Sequence, residues 1–305
     1  MNTNKSINEL ISDFLAEHQG TLSTKKKYRE NLEVFVRWVT INVTDVRNIK
    51  LPELTIYKEW LITSGRSPAT VVAYIVSVRQ FFKYLYDEGI HDDVARKLKA
   101  YNKDRSFRRK PLKPEQATQL LTSIDQSTII GKRDFAIINL MLRTGLRSVE
   151  VTRLDMGDFE KNGSSWQMRV QRKGQLNKND TQGITSKTMD PLLAYFNERD
   201  QDNNEPAFIN YSRASNKDDL RMHPKTISRI VKERLMAIGL NDPLLTAHSL
   251  RHTTACTAIQ QGTDIFLVKA LMCHKDIKTT MIYVGILESE VKLEGIAGKN
   301  IDKAY

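Results

Sequence analysis

The chain has 305 residues, with 47 lysines and arginines against 36 aspartates and glutamates, and therefore a formal net charge of +11. This length exceeds one ordinary compact core and indicates two domains. The charge predicts a polyanionic partner, with nucleic acid as the first candidate. No segment approaches the roughly 20 apolar residues that span a bilayer, and we read no signal peptide at the start, so we expect a cytoplasmic protein without a membrane role.

Apolar residues recur three and four positions apart through most of the first hundred residues, which predicts a helical domain. Ser67 and Pro68 suit the cap and first turn of its fourth helix. Basic side chains line the second and fourth helices. For any one of them a solvated helix face is the alternative, but as a group they favour contacts with DNA phosphates. These residues are Lys25, Lys26, Lys27, Arg79 and Lys83.

A charged segment poor in large apolar residues follows and is predicted to be a linker. Its Arg105, Arg108 and Arg109 suit a connection laid along a DNA backbone, because each neutralised phosphate releases counterions. A solvated tether has the same composition and stays an alternative. The predicted division of the chain is a helical domain over 1–100, a basic linker over 101–112 and a second domain over 113–305, whose tail starts at about 286.

The hydrophobic pattern changes in the second domain. A helix is predicted over Asp134–Leu142. Apolar and polar residues alternate over a short stretch near Trp166–Gln171 and more weakly over Ile184–Met189. This pattern predicts strands of a small sheet with a loop between them. Helices return over Pro224–Ile238 and Ser249–Gln261. The predicted fold class is therefore mainly α with a small β-sheet, in two domains.

Two histidines and an arginine cluster in the sequence His248-Ser249-Leu250-Arg251-His252. On a helix, residues three and four apart share a face, so His248 and Arg251 can converge on one bound group. A guanidinium offers paired donors to phosphate oxygens, and an imidazole can move a proton near neutral pH. An anion is the predicted ligand. A capped helix with a surface arginine is the alternative.

Several short motifs occur in order along the second domain. Together they resemble the tyrosine recombinase, or phage integrase, family, in particular its compact Xer-like and transposon-resolvase-like members. The resemblance covers nearly the whole chain and implies a helical core-binding domain followed by a mixed α/β catalytic domain. The motifs are Thr144-Gly145-Leu146-Arg147 with Glu150, Lys173-Gly174, the segment from His248 to His252, and His274 with Tyr283.

The resemblance implies a site-specific recombinase that cleaves and rejoins DNA through a 3′-phosphotyrosine, in integration, excision, inversion or resolution. A type IB topoisomerase uses the same chemistry without choosing a site, and a non-catalytic DNA-binding accessory factor keeps only the fold. The presence of all six catalytic positions argues against the accessory factor. A need for paired specific sites would separate the recombinase from the topoisomerase.

The chemistry implied by the resemblance is physically sensible. Phosphoryl transfer gathers negative charge on the non-bridging oxygens, so two guanidinium groups form an effective clamp. A lysine can protonate the departing 5′-oxygen. A tyrosine needs a proton acceptor, because its unperturbed pKa is about 10, and a histidine suits that role. The catalytic residues implied are Arg147, Lys173, His248 (a candidate acceptor of the phenol proton), Arg251, His274 and the nucleophile Tyr283.

Two further residues, Glu150 and His252, are interpreted as supporting the site, and Cys273 departs from the family pattern. Glu150 lies three positions after Arg147 and is predicted to orient that arginine. His252 is predicted to be a structural histidine. Cys273 stands where the family usually has glycine, which places a side chain at a tight approach and predicts a local backbone adjustment. A reactive thiol, activated by nearby cationic groups, is the alternative for Cys273.

We expect no cofactor and no metal. Cys256 and Cys273 match no metal-ligand spacing, and no glycine loop of the phosphate-binding type occurs. The resemblance implies double-stranded DNA with specific sites, a homo-tetramer in the synaptic complex, and accessory DNA-bending or directionality proteins as partners. It implies that the tail docks on a neighbouring subunit, with packing in cis as the alternative. Tyr283 need not lie in the pocket without DNA, because its segment can move on binding.

Overall fold

The computed structural model describes residues 5–43, 45–99, 110–199, 202–211 and 220–293. The chain divides into two compact units, Met1–Ser106 and Phe107–Tyr305. None of the helices in the described ranges is long and apolar enough to cross a bilayer.

The first unit is helical. Thr21 and Ser67 cap two of its helices, because each side-chain oxygen accepts a hydrogen bond from the backbone three residues later. Phe35 and Phe82 are fully buried between the helices, and each such burial contributes about 1.5 to 3 kcal/mol. The helices are α1 (Ile7–Glu17), α2 (Leu22–Asn42), α3 (Leu51–Thr63) and α4 (Pro68–Asp87).

The second unit combines a small antiparallel sheet with helices, so the predicted fold class is confirmed. The strands follow in the order β1 (Phe159–Asn162), β2 (Ser165–Val170) and β3 (Asp180–Ile184). The helices are α5 (Pro114–Thr122), α6 (Ile129–Thr144), α7 (Ser148–Val151), α8 (Ser186–Phe196), α9 (Pro224–Ala237), α10 (Ala247–Gln260), α11 (Ile265–Leu271) and α12 (Ile277–Leu293).

The strand predicted over Ile184–Met189 is wrong in its position. β3 ends at Ile184, and α8 starts two residues later. The helix prevails because it buries Met189 together with Leu192 and Phe196, at the three- and four-residue spacing of a helical face. The residues of the weak alternation form the end of β3 and the first turn of α8. The sequence pattern also gave no sign of β1.

Helix packing in the second unit brings distant segments of the sequence together. α10 packs against both α6 and α12. Gly145 follows α6, and its φ of +66° turns the chain sharply toward α7. The start of α7, the middle of α10 and the middle of α12 therefore meet at one place.

Candidate active site

Arg147 and Glu150 form a tight pair at the start of α7. The backbone N–H and Nη1 of Arg147 donate to the two carboxylate oxygens of Glu150, at 2.9 and 2.8 Å. The Glu150 side chain is fully buried, and burial raises the pKa of its carboxyl; hydrogen bonds from Arg147 and from the Lys173 N–H outweigh this and hold the pKa below its usual value. Glu150 is therefore a carboxylate placed to orient Arg147.

Arg251 lies buried on α10 with 3% of its surface exposed. Its Nη1 donates to the carbonyl of Gly145 and its Nη2 donates to the carbonyl of Met272. Burial, with the nearby charge of Arg147, lowers the pKa of Arg251 to about 10, so the guanidinium stays charged at neutral pH. These carbonyls fix the guanidinium without neutralising it, which suits a group that binds an anion.

His274 follows α11 and joins the same group. Arg251 Nη2 lies 3.1 Å from His274 Nε2, and His274 Nδ1 lies 3.0 Å from the hydroxyl of the fully buried Thr280. Burial and the charges of Arg251 and Arg147 lower the pKa of His274 to about 4. The imidazole is therefore neutral at pH 7. Because Arg251 donates to Nε2, the ring proton resides on Nδ1 and points to Thr280.

Tyr283 lies on α12 inside the site, with 3% of its surface exposed. Its ring is 6.0 Å from the nearly parallel ring of His274 and 5.5 Å from the ring of His252. Burial raises the pKa of Tyr283, while the charge of Arg251 and a hydrogen bond from it act in the opposite direction. Tyr283 thus lies beside Arg251 and His274, inside the pocket.

Lys173 adjoins the site through its backbone, and His248 adjoins it beside His252. Lys173 lies in the turn between β2 and β3 with its side chain exposed, and its N–H donates to Glu150 Oε1 at 3.1 Å. His248 is exposed one turn before His252 on α10, with a ring distance of 6.3 Å. The structure therefore ties the backbone of Lys173 to the Arg147 pair and leaves the side chains of Lys173 and His248 accessible to a ligand.

Arg172 is a site residue that sequence reasoning missed. Its side chain is 6% exposed and contacts the carboxylates of Glu150 and Asp180. A basic residue beside Lys173 in a predicted loop looks like one more solvated charge. The signal that could have found it is its position immediately before the Lys173-Gly174 motif.

Cys273 adopts the backbone conformation that favours glycine, with a φ of +47°. Its Sγ donates to Asp180 Oδ2 at 3.3 Å. Burial raises the pKa of the Cys273 thiol, and the charge of Arg172 only partly offsets this. The structure therefore argues against the reactive-thiol alternative, and the expected backbone adjustment takes the form of a strained turn before His274. Within the described ranges, no three His, Cys, Asp or Glu side chains could hold a metal ion.

Comparisons with known proteins identify the family of the chain. The sequence profile of the phage integrase family matches residues 110–290. The profile of the phage integrase N-terminal SAM-like domain matches residues 7–89. The chain belongs to the phage integrase family of tyrosine recombinases. It is a tyrosine-type site-specific DNA recombinase, as the motifs predicted.

The relatives of this recombinase span nearly its whole length. The tyrosine recombinase XerD of Listeria monocytogenes is 30% identical over 294 residues, which cover 94% of this chain and 97% of that protein. The XerC recombinase of Pseudomonas putida is 28% identical over 272 residues, covering 88% and 86%. The structure of the XerH recombinase bound to a palindromic difH substrate, a post-cleavage complex, has a TM-score of 0.72 at 21% identity, with 90% and 79% coverage.

The predicted DNA-binding residues of this recombinase differ in their surroundings. The Lys25 ammonium donates to the carbonyl of Ala16 at 3.0 Å, and Lys27 forms an exposed ion pair with Glu30 at 3.2 Å. Exposed ion pairs of this kind are weak, so the pair with Glu30 holds the Lys27 ammonium only loosely. The side chains of Lys26, Arg79 and Lys83 are exposed, and Arg105, Arg108 and Arg109 lie outside the described residues.

Proposed function

We propose that this recombinase cleaves DNA by attack of Tyr283 on a phosphodiester at a specific site. The observation that carries the proposal is the burial of Tyr283 against Arg251 and His274, within a group that also contains the Arg147–Glu150 pair. A buried phenol beside the charged Arg251, which its carbonyl partners leave unneutralised, is placed to meet a phosphate that Arg251 and Arg147 bind.

In this mechanism the phenol oxygen of Tyr283 forms a bond to phosphorus, and the bond from phosphorus to the 5′-oxygen breaks. Lys173 gives a proton to the departing 5′-oxygen. His248, exposed on α10, takes the phenol proton. A 5′-hydroxyl then attacks the 3′-phosphotyrosine and reverses each step. The energy of the phosphodiester is kept in the covalent intermediate, so rejoining needs no nucleotide.

Arg147 and Arg251 stabilise the charge on the non-bridging oxygens in this proposal. Both guanidinium groups are positioned before DNA arrives, Arg147 by Glu150 and Arg251 by the Gly145 and Met272 carbonyls. Such donors lose no reorganisation energy during the reaction. His274, held neutral between Arg251 and Thr280, fixes the orientation of this pocket.

The finer partner assignments are part of the proposal. Double-stranded DNA carrying recombination sites is the substrate, and the structurally similar XerH recombinase is bound to its difH substrate in the solved complex. We propose a homo-tetramer in the synaptic complex, accessory DNA-bending or directionality proteins, and a cytoplasmic location. Ile286 and Leu287 of α12 pack against the cluster that contains Tyr283, so docking of the tail in trans would concern the residues after them.

Trapping with suicide DNA tests the proposed function. Nicked duplexes tiled over the DNA that flanks the gene are incubated with the full chain, because loss of the short cleaved strand prevents rejoining. A covalent protein–DNA adduct is expected with a subset of the duplexes and is expected to vanish in Tyr283→Phe. An adduct that persists in the variant would refute the assignment of the nucleophile.

A further inference from the structure

We propose that Arg172 is a positioning residue that anchors the turn carrying Lys173 to the arginine clamp. The proposal rests on the proposed function, in which Lys173 is the general acid. It assigns Arg172 no contact with the DNA. Arg172 instead holds the backbone at Lys173 in place, because the ammonium of this flexible side chain must reach the departing 5′-oxygen.

Two nitrogens of the Arg172 guanidinium form hydrogen bonds within the second unit, and the third lies near a carboxylate. Nε donates to Asp180 Oδ2 at 2.5 Å, and Nη2 donates to Gln182 Oε1 at 2.9 Å. Nη1 lies 3.6 Å from Glu150 Oε2. Gln182 in turn donates to the carbonyl of Thr144 at the end of α6. A buried arginine with these partners fixes β3 against the helix that leads to the catalytic arginine.

The same carboxylate receives Arg172 and the backbone of Lys173. Glu150 Oε1 accepts from the Lys173 N–H and from Arg147 Nη1, while Oε2 faces Arg172. The carbonyl of Arg172 also accepts the Gln175 N–H at 3.0 Å, which closes the turn. Glu150 thus fixes the position of the turn relative to Arg147, and the positive charge of Arg172 lies 3.6 Å from its second oxygen.

Asp180 extends the network to the turn that precedes α12. Its Oδ2 accepts from Arg172 Nε and also from Cys273 Sγ. Cys273 is the residue before His274 and is held at a φ of +47°. Loss of Arg172 would leave Asp180 without its closest cation and would loosen both the Lys173 turn and the Cys273 contact.

The placement matters because lysine carries its ammonium on a long flexible stem. The Lys173 side chain is exposed, and its described anchor is the backbone bond to Glu150. An acid held loosely protonates its target in only a fraction of encounters, and small misplacements at a reacting group are costly. A defect in Arg172 should therefore appear as a defect in protonation of the leaving group.

The test compares two leaving groups in single-turnover cleavage by the full chain. One suicide duplex carries the trapped site with the natural 5′-oxygen, and the other has sulfur in its place. A thiol has a pKa of about 8.5 and leaves without an acid. We expect Arg172→Gln to slow cleavage of the oxygen duplex by about 10- to 100-fold, because a general acid contributes on the order of 10²–10⁴-fold. Cleavage of the sulfur duplex should be nearly unchanged.

Arg169→Gln is the matched control. Arg169 lies on β2, is half exposed and pairs with Glu160 at 3.2 Å, so the variant removes the same charge from the same hairpin outside the network. Both rates should stay at the wild-type level. Arg172→Lys, which keeps a buried cation, carries the test if the glutamine variant fails to fold by circular dichroism, and it should show the same selective loss on oxygen.

Equal losses of both rates in the Arg172 variants would overturn the proposal, as would an unchanged oxygen rate. Lys173→Ala separates this failure from failure of the proposed function. If sulfur rescues Lys173→Ala but not the Arg172 variants, the acid assignment stands and Arg172 is only structural. If sulfur fails to rescue Lys173→Ala, the role of Lys173 itself is wrong and the Arg172 proposal fails with it.

Discussion

At the scale of single residues, the site depends on charged groups that the protein has already desolvated. Arg251 is buried among carbonyl groups and stays a cation, while the nearby His274 is held neutral. The sequence motifs predicted which residue types would gather. They could not predict the burial of Arg172. This burial depends on the approach of Glu150 and Asp180, which lie in segments that the sequence motifs do not place next to each other.

Replacement of Arg251 tests the clamp. Arg251→Ala should raise the barrier to cleavage by about 2.7 to 4 kcal/mol, as loss of one fixed donor does at other oxyanion sites. Single-turnover adduct formation at saturating DNA measures this loss. The exposed Arg143, which bonds to Asn139 at 2.8 Å, provides the control Arg143→Ala. A loss smaller than about tenfold for Arg251→Ala would contradict the clamp.

The low pKa of His274 predicts a dependence of stability on pH. The value falls from 6.5 to about 4 on folding, so the unfolded chain binds more protons between these values. The stability due to neutral His274 is complete above pH 6.5 and is lost as the pH falls toward 4. For this half-buried ring, the loss should be ~1–2 kcal/mol after solvent screening.

Urea unfolding at pH 7 and at pH 5 measures this dependence. The variant His274→Gln, which cannot titrate, should lose less stability than the wild type over the same interval. Identical losses in the two proteins would show that His274 does not carry the effect.

At the scale of elements, the turn after α6 determines where Arg147 and Arg251 meet. Gly145 has a positive φ, and a Cβ there would lie 2.8 Å from the sulfur of Met272, which is fully buried. Gly145 belongs to the Thr-Gly-Leu-Arg motif, but the motif alone did not predict its conformation. The boundary between β3 and α8 was missed because a short run of weak alternation also fits the start of a helical face.

Gly145→Ala should therefore lower the stability of the second unit by more than the cost of placing alanine at a positive φ. The φ penalty is about 1 to 2 kcal/mol, and crowding against a buried side chain adds roughly 1 kcal/mol or more. Gly163→Ala is the matched control, since Gly163 has a φ of +60° and open space around its Cβ position. Thermal melting of both variants makes the comparison, and equal losses would disprove the crowding.

At the scale of the whole molecule, the net charge and the helical pattern predicted a two-part DNA-binding protein. The two family profiles match one part each. Which basic residues meet phosphate was not predictable, because composition does not show whether a lysine is exposed like Lys26 or bonded to the end of a helix like Lys25. Base readout depends on side-chain placement in the grooves in the same way.

The charges of α4 should contribute to DNA affinity without selecting a sequence. Lys83→Ala should weaken binding to specific and random duplexes alike. It should also reduce the magnitude of the negative slope of log K against log salt by about one. Fluorescence anisotropy over a salt series measures the slope. Lys5→Ala, whose ammonium pairs with Asp13 at 2.7 Å, removes the same charge outside the predicted DNA face and should leave the slope unchanged. Equal slopes in Lys83→Ala and the wild type would show that Lys83 does not contact a DNA phosphate.

The most direct test of the central claim is to locate the bond between protein and DNA. Trypsin digestion of the trapped adduct releases the peptide Thr279–Lys292, whose single tyrosine is Tyr283. We predict that mass spectrometry after nuclease treatment finds the nucleotide on this peptide, at the phenol oxygen. A nucleotide on any other residue, with this peptide unmodified, would contradict the account.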